Sequence, residues 1–415
     1  MKVLVIGGGG REHAIVYALD KSPRVEKIYC APGNAGISEL AECVPIKATD
    51  IDALVKYAVD EQFDLVFIAP DDPLAMGLSD RMQAAGIRAF GPKANAARIE
   101  ASKSFAKDLM KKYNIPTAAY EVFSDMDKAI SYLDTADFPI VVKADGLALG
   151  KGVIIAENLQ DAKKAVCSMM GDAIFNESGK TVVIEEFLEG PELTVLAFVD
   201  GEHVLPMISS RDHKRALDGN KGKNTGGMGA VTPGAELTEE YETILHEKIF
   251  QPTIDALQKE GCPFVGIIYF GLMLTKNGPK VIEYNARMGD PETQAILPRL
   301  ETDFLDIIDA CLDGHLPEIK LQWKPGASCC VVLASGGYPE KYETGYPISG
   351  LKNNTHLVFH AGTAWKDREI VTSGGRVLAV YGEGTTMEDA IKDAYTGLNG
   401  ISFEGMHYRK DIGMV

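Results

Sequence analysis

A short apolar run that stops dead at four consecutive glycines constrains this chain most. In KVLVIGGGGREHAIVYALDKSP, residues 2–23, Leu4, Val5 and Ile6 are strand formers, while Ala14, Ile15, Ala18 and Leu19 recur at helical spacing. A strand that turns through glycine straight into a helix is the opening of a βαβ unit. The next segments repeat the alternation. KIYCAPG and DLVFIAPDDP read as strands, each ended by a proline-bearing loop, and DIDALVKYAVDEQ reads as a helix between them with Asp50 as its N-cap. Strands alternating with helices imply a parallel sheet, so residues 1–102 are expected to form a Rossmann-like α/β domain.

The glycine turn is not a dinucleotide fingerprint. G-x-G-x-x-G begun at Gly7 needs glycine where Glu12 stands, and begun at Gly8 it needs one at His13. No acidic residue closes the second strand to meet a ribose, because that strand ends CAPG. A phosphate on the amides of Gly8, Gly9 and Gly10 at the helix start remains chemically sensible, as does a plain tight turn.

At 415 residues the chain exceeds one core, so further domains must follow. Residues 102–113, SKSFAKDLMKKY, form a basic amphipathic helix, and a mixed αβ segment with two hairpins follows, turned at Asp200-Gly201 and Asn277-Gly278. RDHKRALDGNKGKNTGGMGA, residues 211–230, is long for a plain connection and is expected to be a binding loop. From residue 325 the chain turns strand-rich again, with a helix at 387–397. The domains expected are therefore 1–102, 103–324 and 325–415.

The formal net charge of −17 argues against nucleic acid or anionic membrane as partner. It leaves room for a small anionic substrate, because exposed charges are screened beyond about 8 Å. The longest apolar stretch, FVGIIYFGLML, has 11 residues, short of the ~20 that span a bilayer. The seven cysteines contain no C-x-x-C pair, which fits reduced thiols in the cytoplasm. Cys329 and Cys330, inside an apolar strand, read as core.

The chemistry is concentrated in three later segments. VVKADGLALGKGVIIA, residues 141–156, is not a Walker A loop: Gly146 and Gly150 have three residues between them, Lys151 is followed by Gly152, and the loop joins two strands. It reads instead as a flap whose amides cover a triphosphate while Lys143, and Lys103 from the preceding helix, supply point charges. EEFLEGPE, residues 185–192, offers backbone groups for a base edge and acids for a ribose. In IEYNAR, Glu283 and Asn285 lie two apart on a strand and so share a face. Both carry the hard oxygens that magnesium takes, with Arg287 on the same face if the strand continues.

Flap, hinge strand and E-x-N together resemble the ATP-grasp superfamily. Within it, GGGGREHA, APGNAG, VVKADGLALGKGV, EEFLEGPE, DHKRALDG, NTGGMG, IEYNARMGDPE and YRKDIG resemble the phosphoribosylamine–glycine ligase family, in order and from the first strand to residue 413. The resemblance implies an α/β and α+β multidomain fold: an N-terminal pre-ATP-grasp domain, an ATP-grasp core with a mobile lid at roughly 118–187, and a strand-rich C-terminal domain. It implies ligation of glycine to 5-phosphoribosylamine at the expense of ATP, by a cytoplasmic monomer using Mg²⁺ or Mn²⁺.

Carried onto this chain, Lys103, Lys143, Gly150, Lys151, Glu185, Glu186, Phe187, Leu188 and Glu192 would bind ATP, and Glu283 and Asn285 the metal. Gly8, Gly9, Gly10, Arg11, Glu12, Asp212, His213, Lys214, Arg215, Thr225, Gly226, Gly227, Arg287, Asp290, Pro291 and Glu292 would surround the other substrates, with Lys143 and Arg287 catalytic. Two departures stand out. The position at which many ATP-grasp enzymes carry another metal-binding carboxylate falls at or near Gly271, and Lys221-Gly222-Lys223 precedes Asn224 where Gly-Pro is expected. Other ATP-grasp ligases or carboxylases remain the nearest alternatives, ahead of a nicotinamide enzyme or a non-catalytic nucleotide sensor.

Overall fold

The computed structural model describes residues 1–147, 152–171 and 179–414. Gly150 and Lys151, expected to touch ATP, lie outside the described residues.

The N-terminal strands pair in parallel as expected. Lys2–Gly7 lies between Lys27–Pro32 and Leu65–Ile68 in a five-stranded sheet. The side-chain period of two splits the first strand between two cores. Leu4 and Ile6 pack with Val195 and Phe270 of the middle region, whereas Val3 and Val5 pack with Ile15, Phe304 and Phe359. The sheet is thereby covered on both faces, and its glycine turn is fixed against the rest of the molecule. Asp50 caps the helix Ile51–Asp60 by accepting from the Ala53 amide at 3.2 Å.

The middle region holds a four-stranded antiparallel sheet, ordered Val204–Pro206, Glu192–Asp200, Val265–Thr275 and Gly278–Asn285. A second four-stranded sheet, Tyr120–Phe123, Val182–Glu186, Ile140–Ala144 and Val153–Ala156, carries the helices Met126–Leu133 and Leu159–Met170 on an apolar cluster of its own that includes Leu133, Val142, Val166 and Ile184. This unit spans the residues at which a lid is expected, and its sheet is called the lid sheet.

Two features differ from the sequence reading. Residues 211–230 are not an open loop. Arg215–Leu217 and Lys221–Asn224 form a small hairpin, turned through residues that include Asn220 at φ +53 and Gly219 at φ +68. Its flanks Arg211–Asp212 and Gly229–Thr232 join the C-terminal sheet, beside Ala327–Ala334, Arg376–Gly384 and Val358–His360. Charge and glycine at nearly every second position had hidden the strand pattern. The C-terminal sheet thus reaches into the middle of the sequence.

Candidate active site

Lys143 and Glu185 lie on neighbouring strands of the lid sheet, where Lys143 pairs with Val183 and Glu185 with Val141. They are diagonal neighbours on one face. The Lys143 ammonium stands 3.0 Å from the Glu185 carboxylate, and both side chains are buried. Lys143 also donates to the carbonyl of Ile282 at 3.1 Å. That carbonyl is free because the strand Gly278–Asn285 is bulged: Gly271 pairs with Glu283 and Leu272 with Val281, leaving Ile282 as the extra residue. The bulge brings the lid lysine next to Glu283, a contact that strict alternation does not foretell.

Three lysines converge on Glu283. Lys214 lies 3.4 Å from its carboxylate, and Lys214, ahead of Lys143 and Lys103, holds the acid down to about 2 against the opposing effect of burial. The carboxylate is therefore ionised at any working pH, as a metal ligand must be. Asn285 presents its Oδ1 on the same strand, where it accepts from Arg287 at 3.1 Å. Two hard oxygens on one strand face, ringed by cations that suit phosphate, fit a divalent ion completed by phosphate and water oxygens. Gly271 lies opposite Glu283, so its strand adds no third side-chain ligand there.

Arg287 lies beyond the strand end yet remains at the site. It pairs with Glu100 at 2.8 Å, and the Ala286 amide donates to the same carboxylate at 2.7 Å. Lys103 donates to the Gly146 carbonyl at the root of the flap, and the Ser104 amide and hydroxyl bind Asp145 at 2.6 and 2.8 Å. Glu186 turns outward to Lys280 at 2.8 Å, and Glu192 pairs with Lys214 at 3.4 Å. Phe187 and Leu188 are half-buried in the link between the two four-stranded sheets.

The remaining candidates gather beside the N-terminal glycines. The Glu12 carboxylate caps its own helix, accepting from the Gly9 amide at 2.6 Å and from Arg11 at 2.7 Å, so an anion already lies on part of the glycine turn. Asp290 accepts from Gln294 at 2.7 Å. Gly227, at φ +116, brings its backbone against Pro291 and Asp212. Thr225 accepts from the Gly227 amide at 3.0 Å and donates to the Lys214 carbonyl at 2.8 Å.

Burial, reinforced by Glu292, pushes the Asp212 carboxyl well up. His213 accepts from the Gly413 amide at 3.0 Å, and burial, with Arg211 and Arg409 adding, lowers it to about 4. It is a neutral ring. The carbonyl of Arg215 is held by Arg409, which is ion-paired with Asp411 at 2.7 Å. YRKDIG thus serves as a clasp on DHKRALDG.

Among the described residues, buried side-chain polar atoms of Arg211, Asp212, His213, Arg287 and Gln294 have no hydrogen-bond partner, and Glu185 Oε1 meets the Lys143 ammonium at 3.0 Å. All six line or adjoin this cluster. Such atoms cost free energy when left unpaired.

Three participants escaped the sequence reading. Arg376, from the C-terminal sheet, donates to the carbonyls of Gly226 and Asp290, each at 2.6 Å, and pairs with the Asp290 carboxylate at 3.3 Å. Glu100 holds Arg287 from a helix far back in the chain. Lys107 lies on the buried face of a helix whose last two lysines, Lys111 and Lys112, are exposed, and it reaches Glu185 at 2.9 Å.

Comparison with known proteins decides the family. Models of the N domain, the ATP-grasp (A) domain and the C domain of phosphoribosylglycinamide synthetase match residues 1–100, 101–293 and 328–415. The chain belongs to the phosphoribosylglycinamide synthetase family. It is similar to a phosphoribosylamine–glycine ligase of Caldanaerobacter subterraneus subsp. tengcongensis, with 49% identity over 413 residues covering 99% of each chain. The crystal structure of the phosphoribosylamine–glycine ligase of Thermotoga maritima superposes with a TM-score of 0.89 at 34% identity, covering 99% of this chain and 100% of that one. A biotin carboxylase of Campylobacter jejuni shares the fold alone, with a TM-score of 0.74 at 16% identity over 98% of this chain and 92% of the other. Like other members of the phosphoribosylglycinamide synthetase family, this chain is an ATP-grasp ligase, a class that uses ATP with a divalent metal and acts on small molecules. No described helix is long and apolar enough to cross a membrane.

Proposed function

We propose that the enzyme joins glycine to 5-phosphoribosylamine, with cleavage of ATP to ADP and phosphate, to give glycinamide ribonucleotide. The observation that carries this reading is the meeting of lid and metal strand, where Lys143 stands against Ile282 and Glu283 is ringed by Lys214, Lys143 and Lys103. Such a cluster suits a polyphosphate tail. The donors and acceptors left unpaired at Asp212, Arg287 and Gln294 suit two further polar substrates next to it.

Hydroxide or oxide is a poor leaving group, so a carboxylate does not acylate an amine unaided. A carboxylate oxygen of glycine attacks the γ-phosphorus, and the bond to ADP breaks, giving glycyl phosphate. The amine nitrogen of phosphoribosylamine then attacks the acyl carbon. The carbon–oxygen bond breaks toward phosphate, which takes the surplus proton. The first step asks for alignment and charge neutralisation rather than a covalent enzyme nucleophile. Lys143 and Lys103 bind phosphate oxygens, and Arg287, rigidly held by Glu100, orients the acid. Glu283 and Asn285 would hold Mg²⁺ or Mn²⁺, whose bound form neutralises phosphate charge as a Lewis acid. Glu185 to Leu188 and Glu192 would take the nucleoside, and Gly8 to Glu12, Asp212 to Arg215, Thr225 to Gly227 and Asp290 to Glu292 the other two substrates. The lid, with its own core, closes over the site and keeps water from the acyl phosphate.

The same reading takes a monomer as the active unit. The seven free cysteines support a reducing cytoplasm. The test is a coupled ADP assay with glycine and freshly made phosphoribosylamine, with product mass confirmed. ADP formation that needs both substrates and yields the amide is expected. ADP formation supported instead by bicarbonate would favour a carboxylase.

A further inference from the structure

Behind the nucleotide cluster lies a closed ring of polar contacts that crosses from lid to core. Lys107 donates to Thr117 Oγ1 at 2.7 Å, and Thr117 donates to the Val281 carbonyl at 2.7 Å. The next residue, Ile282, accepts from Lys143, Lys143 meets Glu185, and Glu185 meets Lys107 at 2.9 Å. The ring thus joins two lid strands, the linker into the lid, the helix Lys103–Lys112 and the metal-site strand. Lys107, Lys143 and Glu185 are each no more than 3% exposed.

The ring holds two ammonium groups against one carboxylate. If Lys143 were the sole partner of Glu185, any move toward a phosphate would leave a buried, unpaired carboxylate, which is costly. Lys107 removes that penalty. It is anchored on its far side by Thr117, so it stays on Glu185 whichever way Lys143 turns. Sequence reading sets Lys107 in a basic amphipathic helix without singling it out, and no step of the mechanism above uses it.

We propose that Lys107 is a positioning residue for nucleotide binding: it keeps the Glu185 carboxylate neutralised from behind and so frees Lys143 to carry its charge to the phosphates of ATP. The inference rests on the reading of Lys143 as a phosphate ligand.

The experiment measures KM for ATP, glycine and phosphoribosylamine in Lys107→Met, Lys107→Arg, Glu185→Gln and the Lys107→Met/Glu185→Gln double variant, with thermal unfolding as a check on fold. Lys107→Met is expected to raise KM for ATP at least tenfold and leave KM for the other substrates within about threefold. Lys107→Arg, which keeps the charge, should stay close to the parent enzyme. In the double variant, loss of the Glu185 charge removes the competitor for Lys143. Adding Lys107→Met to Glu185→Gln should then change KM for ATP less than threefold, a coupling that a merely structural lysine would not produce. A folded Lys107→Met enzyme with unchanged KM for ATP overturns the proposal. If that variant does not fold, the comparison within the Glu185→Gln background decides, and a tenfold loss there overturns it. Lys143→Ala separates the two claims: unchanged KM for ATP in that variant would sink the phosphate reading itself, whereas a raised KM with a silent Lys107→Met would sink only the role of Lys107.

Discussion

Lys143 donates to the carbonyl of Ile282 at 3.1 Å, immediately before Glu283 in the chain. One hydrogen bond thereby couples the lid sheet to the strand that presents Glu283 and Asn285, the proposed metal ligands. It exists because the strand bulges there and frees a carbonyl. A lysine placed between a carboxylate on its own sheet and the metal strand is poised for a ligand that binds between the two.

Removing that charge should abolish the chemistry and spare the fold. For Lys143→Met we expect a drop in kcat/KM for ATP on the order of 10²–10³, the scale of losing one charge-stabilising donor. Glu185 keeps Lys107 as partner, so the variant should still unfold cooperatively. Glycine-dependent ADP formation and thermal unfolding measure the two effects, and turnover near that of the parent enzyme would remove Lys143 from the site.

Glu283 gives a pH-dependent signature. Its carboxyl is held near 2, below the ordinary 4.5, by Lys214 and then Lys143 and Lys103. The contribution it makes to stability is therefore fully present above about 4.5 and is lost as pH falls through about 2. In metal-free protein, the gap in unfolding temperature between the parent and Glu283→Gln should be widest near pH 6 and shrink toward pH 2. A gap that stays constant across that window contradicts the arrangement. The same variant should need at least tenfold more Mg²⁺ for half-maximal turnover.

Gly227 tests the seating of the substrate hairpin. Its φ of +116 strains any side chain, and a β-carbon there would lie 2.6 Å from Asp212 Oδ1 and press on Pro291. Gly227→Ala should cost about 1–3 kcal/mol in denaturant unfolding. It should also raise KM for phosphoribosylamine or glycine, with KM for ATP little changed. A variant with the parent's stability and kinetics would show that this contact yields freely.

Arg376 should matter although it belongs to the C-terminal sheet. Its Nη1 donates to the carbonyls of Gly226 and Asp290 while its Nη2 pairs with the Asp290 carboxylate, and lysine cannot reproduce that fork. Arg376→Lys is expected to raise KM for phosphoribosylamine by about tenfold, equivalent to roughly 1.4 kcal/mol, and to leave KM for ATP unaltered. Steady-state kinetics with each substrate varied in turn checks this, and the opposite pattern would place Arg376 with the nucleotide.

Where pattern and cap agree locally, the fold could be read from sequence. The first strand, its glycine turn and the Asp50 cap each declare themselves within a few residues. Lys143, Glu283 and Asn285 stood out as candidates for the same reason, since each lies in a short stretch whose chemistry is explicit. What escaped is set by distance. Glu100 and Arg287 are 187 positions apart and nothing around Glu100 announces a partner. Lys107 looks like its solvated neighbours until the helix is packed. Ile282 is an ordinary apolar residue until the register shift turns its carbonyl outward. The 211–230 segment failed as a strand reading because its stability comes from the C-terminal sheet and the Arg409–Asp411 clasp rather than from its own side chains.

The account stands most squarely on the phosphorylation of glycine's own carboxylate at the Lys143–Glu283 cluster. Glycine labelled with ¹⁸O in its carboxyl group puts that to a single measurement, the isotopic content of the inorganic phosphate released. One labelled oxygen transferred to phosphate for each glycinamide ribonucleotide formed is the expected result. Unlabelled phosphate, with the displaced oxygen recovered in water or in ADP, would contradict it.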